Sequence, residues 1–376
     1  MINATFEIED CEIKRIFAHS NYPSEQKGNV FYDSEIPPNL KFADELPAKL
    51  ECLHSVVAFR PSHILLSRDI LGGKPLYYSK SGISSFKSPL DSPTPVLPGE
   101  VLKIDYRGNI LERRVFSFEE VIGRSDLTIE ETERVIEIEL EKMRVKNGCI
   151  AFSGGLDSAL IASMHDLPLI AVTARDRDEE WLREAAKMIS GDLEIRKIQK
   201  EEIESILKKV TNVIEDFSFL QLSIAVPFYF LFNFAKELGY SEVILGQGAD
   251  ELFGGYKRYE RLESSELENA LLSDLRRIGE KNLVRDTKIS YYVGVRLVLP
   301  YLNWNVIRCA LSIPGNLKVA RISGKPVRKY FLRKIAEKYL PGEIVWREKK
   351  AVQYSTGVAK ILKKIMSSQT GKVLGF

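Results

Sequence analysis

Ser153-Gly154-Gly155-Leu156-Asp157-Ser158 combines the residue types that a phosphate-binding turn needs. Two adjacent glycines let the backbone turn tightly and approach an anion without a Cβ in the way. Ser153 and Ser158 add hydroxyl donors. The apolar run Cys149-Ile150-Ala151-Phe152 precedes the turn. A helix opening after it would aim free N–H groups and a partial positive charge at the same anion. Asp157 has the phosphate's own sign, so it needs a cation between the two charges, and oxygen ligands point to Mg²⁺. Gly-Lys-Ser/Thr is absent from the turn, which separates it from the phosphate loop of kinases and GTPases.

A second constellation is Gly246-Gln247-Gly248-Ala249-Asp250-Glu251-Leu252-Phe253-Gly254-Gly255-Tyr256. It follows a short apolar run, at the kind of strand end where open α/β sheets bind ligands. Gly246 and Gly248 allow close backbone approach to a nucleotide. Asp250 can supply a second metal carboxylate opposite Asp157. Ala151 and Thr173, at the ends of the first two expected strands, are candidate adenine contacts. The four histidines, His19, His54, His63 and His165, form no ligand pattern. Cys11, Cys52, Cys149 and Cys309 are scattered, which argues against zinc and against a disulfide framework. Trp181, Trp304 and Trp346 read as packing residues.

The elements that position these groups fall into two regions. Residues 1 to about 120 hold short apolar runs punctuated by Pro and Gly, and they read as β-rich. Thr128-Ile129-Glu130-Glu131 has the form of a capping box and opens a helix to about 147. Strands are then expected over 149–152, 169–173, 193–198 and 242–245. Helices are expected over 157–164, 178–189, 201–213 and 224–238. That alternation implies a doubly wound parallel sheet with helices on both faces. After Tyr256 the pattern is mostly helical. The expected division is 1–122 and 123–376.

The 376 residues carry 54 Lys plus Arg against 52 Asp plus Glu, a net charge of +2. A chain 44% hydrophobic and 28% charged is globular rather than disordered. The balanced charge gives no footprint for nucleic acid or an anionic membrane. The N-terminus has no basic segment followed by an apolar run, and the most apolar stretch, 224–235, is too short to span a bilayer. A cytoplasmic protein is expected.

The hexapeptide at Ser153–Ser158 matches the signature of the N-type ATP pyrophosphatases. Together with the 246–256 segment it resembles the synthetase region of the glutamine-hydrolysing asparagine synthetases. Glu215 stands before Pro227 at the spacing of a catalytic glutamate in that family. Leu340-Pro341-Gly342-Glu343-Ile344-Val345-Trp346-Arg347-Glu348-Lys349 is similar to a segment that places a pyrophosphate-facing lysine at Lys349. Ser67-Arg68-Asp69-Ile70-Leu71-Gly72-Gly73-Lys74-Pro75-Leu76-Tyr77-Tyr78 is similar to part of the family's glutaminase domain. The resemblance implies ATP and Mg²⁺ as cofactors, and activation of a small-molecule carboxylate, the aspartate side chain first, as an acyl-adenylate. Ammonia then attacks.

Departures from the family pattern are specific. Ile2 stands where the family has its nucleophilic Cys, the first region is short, and Ser223 replaces a frequent arginine. The first region is therefore expected to be an inactive glutaminase-like remnant of Ntn-hydrolase type, unless processing exposed Cys11. A separate glutaminase subunit or a homodimer are open as partners. A β-lactam-synthetase-like ligase, an ATP pyrophosphatase acting on tRNA and a non-catalytic regulatory subunit are the competing readings.

Overall fold

The computed structural model describes residues 1–348 and 356–368. The first region forms two antiparallel sheets. One is ordered Glu12–Ser20, Ile2–Glu9, Gly82–Ser84, Tyr77–Ser79, Thr94–Pro95. The other is ordered Ile110–Val115, Glu100–Ile104, Ile64–Arg68, His54–Phe59, Val30–Ser34, Glu25–Lys27. Successive residues of a strand face opposite sides. Val57, Ile64 and Leu66 join the core between the sheets, whereas Val56, Ala58 and Leu65 join the core shared with the rest of the chain. Burial on both faces is why these strands read as unbroken apolar runs rather than as alternation.

Two capping boxes follow. Ser117 and Glu120 open Phe118–Val121, and Thr128 and Glu131 open Ile129–Glu141. The second region is then built on a parallel sheet ordered Leu193–Lys197, Leu169–Thr173, Gly148–Ala151, Glu242–Ile244, Arg296–Val298. The chain enters at the central strand, steps outward to one edge, and returns to build the other side. The loops leaving Gly148–Ala151 and Glu242–Ile244 therefore diverge, and a crevice opens between them.

One expectation needs correction. The helix expected over 224–238 is Phe219–Glu237, 19 residues, long and apolar enough to cross a membrane by length and composition. Of its most apolar window, 67% is buried within the fold. The region after Tyr256 is mostly helical, as expected, with short strands added. Arg296–Val298 completes the parallel sheet, and Val319–Ile322 pairs with Lys325–Arg328. Strands of three or four residues carry too few positions for a period of two to stand out from a helical pattern.

Candidate active site

Gly148–Ala151 runs into the Ser153–Ser158 turn and the helix Leu156–Met164. Ser158 Oγ is the hub of the turn. It accepts from Ser153 N at 3.1 Å, lies 3.0 Å from Ser153 Oγ and donates to Gly155 O at 3.3 Å. Gly155 is the N-cap, and no side-chain hydrogen bond caps this helix, whose positive N-terminal end suits an anion. Ser153, Gly154, Gly155, Leu156, Asp157 and Ser158 all line one cleft, together with Ala151 and Gly246.

Gly154 has φ +65°, and a Cβ there would lie 2.5 Å from Trp181 Nε1. That nitrogen donates to Gly154 O at 2.9 Å. The Arg347 guanidinium stacks 3.3 Å from the centroid of the Trp181 ring, and both residues line the cleft. Trp181, expected as packing, is thus a wall of the loop.

Where the turn enters its helix, the Asp157 carboxylate and that of Asp250 converge on one point. The Lys329 ammonium lies there, 2.5 Å from Asp157 Oδ1 and 2.7 Å from Asp250 Oδ1. Its side chain is only 3% exposed, against 19% for Asp157 and 21% for Asp250. Gly255 makes the approach sterically feasible, because a Cβ at that position would fall 1.8 Å from Asp250 Oδ1. This donor set fits Mg²⁺. The two oxygens already share a cation, and Mg²⁺ is commonly held by one or two carboxylates with substrate phosphates completing the shell. No group of three or more His, Cys, Asp or Glu among the described residues forms an all-protein cage.

Three expected contacts lie elsewhere. Thr173 is buried and its hydroxyl is turned to its own chain, donating to Arg175 O and accepting from Arg175 N, both at 3.2 Å. Ala171 and Val172 line the cleft in its place. Gly248 packs on Leu302, where a Cβ would approach to 2.4 Å, and it does not line the cleft. Glu215 ends the helix Lys200–Ile214 in left-handed conformation, φ 54°. Its carboxylate accepts from Lys87 N and Ser88 N, both at 2.8 Å, and pairs with Lys288. Glu215 therefore clamps the two regions together instead of facing the cleft, a placement that spacing to Pro227 could not reveal. Lys349 lies outside the described residues.

Several cleft residues went unread in the sequence. Lys329, the N-cap of the helix Tyr330–Ala336, and Arg333, four residues on within it, both line the cleft. A basic pair at that spacing was the available signal. Burial lowers the Arg333 pKa, with Asp157 partly opposing the shift. Gln247 also lines the cleft, and its amide donates to Asp286 Oδ2 at 2.6 Å. Burial pushes the Asp286 carboxyl up, against the pull of Arg285, whose Nε donates to it at 2.7 Å.

Asp286 belongs to the helix Val284–Val293, which also meets the first region. Thr287 Oγ1 donates to Gly73 O at 2.9 Å, and Tyr291 donates to Asp33, which pairs with Lys74 at 3.1 Å. Cys11 is exposed at the turn joining Ile2–Glu9 to Glu12–Ser20. Processing to expose it would remove the strand that supplies Ile2, Ala4 and Phe6 to the inter-sheet core. Cys52, Cys149 and Cys309 are buried, and burial pushes the Cys52 and Cys149 thiols up to about 12.

The model of the asparagine synthase family matches residues 142–272 and 260–374. A provisionally named glutamine-hydrolysing asparagine synthetase 1 of Methanocaldococcus jannaschii is 34% identical over 253 residues, 57% of this chain and 47% of that protein. The glutamine-hydrolysing asparagine synthetase B of Escherichia coli is 26% identical over 230 residues, 56% of this chain and 41% of that protein. The aligned part thus spans less than half the length of these relatives. An NH3-dependent NAD synthetase from Campylobacter jejuni aligns with 66% of this chain and 96% of its own, at 16% identity and a TM-score of 0.24, too low to bear on the fold.

Proposed function

The chain belongs to the asparagine synthase family, and on that footing we propose that it is an AMP-forming amide ligase. ATP and a small-molecule carboxylate, L-aspartate first, yield an acyl-adenylate and pyrophosphate. Ammonia then converts the acyl-adenylate to amide and AMP. The observation that carries this reading is the convergence of Asp157 and Asp250 on one cation, facing a turn whose helix has no side-chain cap.

The Ser153–Ser158 turn binds the β and γ phosphates through its N–H groups and hydroxyls. Asp157 and Asp250 would hold Mg²⁺, which neutralises charge on the phosphates and the leaving pyrophosphate. Lys329 and Arg333 add fixed positive charge on the same side, and charge placed in advance costs no reorganisation when the pyrophosphate departs. Trp181 and Arg347 hold the turn in shape. Lys349 is assigned to the pyrophosphate by resemblance alone. Ammonia as nitrogen source is favoured by the cysteines, of which one sits on an outer turn and three are buried.

The test is ATP–pyrophosphate exchange by the purified chain with Mg²⁺ and a panel of amino-acid carboxylates, followed by product analysis with ammonium or glutamine. AMP, pyrophosphate and an amide are expected with ammonium. ADP and phosphate as the sole nucleotide products would overturn the reading.

A further inference from the structure

We propose that Gln247 positions the nitrogen nucleophile, and that Asp286 fixes which end of the Gln247 amide faces it. The inference rests on the amide-ligase reading and adds the group that receives ammonia or a small primary amine.

Gln247 stands between the cleft and a buried polar chain. Arg285 Nη1 donates to Gln221 Oε1 at 2.9 Å, Arg285 Nε donates to Asp286 Oδ1 at 2.7 Å, and Gln247 Nε2 donates to Asp286 Oδ2 at 2.6 Å. Arg285 and Asp286 are 3% and 1% exposed, so water does not compete for these bonds. An ionised carboxylate is an acceptor only. With Arg285 on one oxygen, the other takes the amide N–H₂ of Gln247. The amide carbonyl is then the end left for the cleft, and no described residue donates a hydrogen bond to it.

A carbonyl oxygen suits a neutral amine. It accepts one N–H of ammonia and leaves the nitrogen lone pair free to attack. It is not a base, so it leaves the proton on the nitrogen before attack. A carboxylate at the same position would prefer ammonium, whose lone pair is already spent, and would lie against the like charge of Asp286.

The deciding variant is Gln247→Leu, which keeps the approximate shape, removes the acceptor and breaks no ion pair. In steady-state assays on the full chain, with ammonium as the probe and the carboxylate that supports exchange, its KM for ammonium should rise at least tenfold. That rise should exceed any change in KM for ATP. Asp286→Asn, which leaves Gln247 in place but lets its amide turn over, should raise the ammonium KM several-fold. An unchanged ammonium KM in Gln247→Leu, or equal rises for ammonium and ATP, would overturn the positioning role while leaving the ligase reading intact. Absence of any carboxylate-dependent exchange in the unaltered chain would overturn the ligase reading, and this role with it.

Discussion

At the carboxyl ends of the parallel sheet, Lys329 lies between Asp157 and Asp250. Where the two regions meet, Lys288 lies against Glu215. Both lysines are almost fully buried, at 3% and 2% exposed. Their surroundings differ. The first cluster borders a cleft and a helix N-terminus without a side-chain cap, so an anion entering the cleft would come within reach of its charges. The second is closed by Lys87 N and Ser88 N, and the Lys288 ammonium lies 5.3 Å from the Tyr77 ring centroid and 5.9 Å from that of Phe86. Acid–lysine pairing alone therefore does not mark catalysis. What the remaining lone pairs of the carboxylate face does.

A third lysine extends the series. Lys318 is buried with no carboxylate at ion-pair distance among the described residues, and burial lowers its pKa to about 8. With two carboxylate partners, one and none at ion-pair distance, these lysines show three ways of burying the same side chain.

The sharpest break in the comparison comes from matched removal of carboxylates. Asp157→Asn should lower AMP formation by about 10²–10³-fold, because the metal site loses a formal charge beside the reacting phosphates. Glu215→Gln should leave the rate within about threefold, as its carboxylate does not line the cleft. Product assays on both variants decide this, and a comparable loss in Glu215→Gln would return Glu215 to the chemistry.

Stability should show the opposite ranking. Glu215→Ala leaves Lys288 buried without its partner and should cost about 3–5 kcal/mol, read from denaturant midpoints. Asp157→Asn should cost less, since Asp250 still holds Lys329.

Lys318→Met sharpens the third case through pH. At pH 7 the folded chain carries a buried ammonium, whereas the unfolded chain solvates it. The folded pKa lies below the unfolded value of 10.5, so this group's cost is fully present below about pH 8 and is relieved as pH rises from there toward 10.5. Lys318→Met should therefore be more stable than the unaltered chain at pH 7, by about 1–3 kcal/mol, and the gap should narrow at pH 9.5. Paired denaturant curves at the two pH values test the sign.

The smallest effect is expected at the loop wall. Trp181→Phe keeps the ring under Arg347 but loses the bond to Gly154 O, worth about 1 kcal/mol. The KM for ATP should rise no more than about fivefold.

The sequence by itself determined the parallel sheet and the Ser153–Ser158 turn. Each rests on short-range order that is written in consecutive residues: apolar runs, glycines beside hydroxyls, a capping box at Thr128. It did not determine which charged groups share a space. Asp157, Asp250 and Lys329 come from three separate elements, and Gln247 meets Asp286 only because the helix Val284–Val293 packs behind the strand end. The spacing of Glu215 to Pro227 could not show that its carboxylate would reach the backbone of Lys87 and Ser88 from a left-handed residue at a helix end. The reach of a charge is a few ångströms, so its role is decided by what tertiary packing brings within that reach.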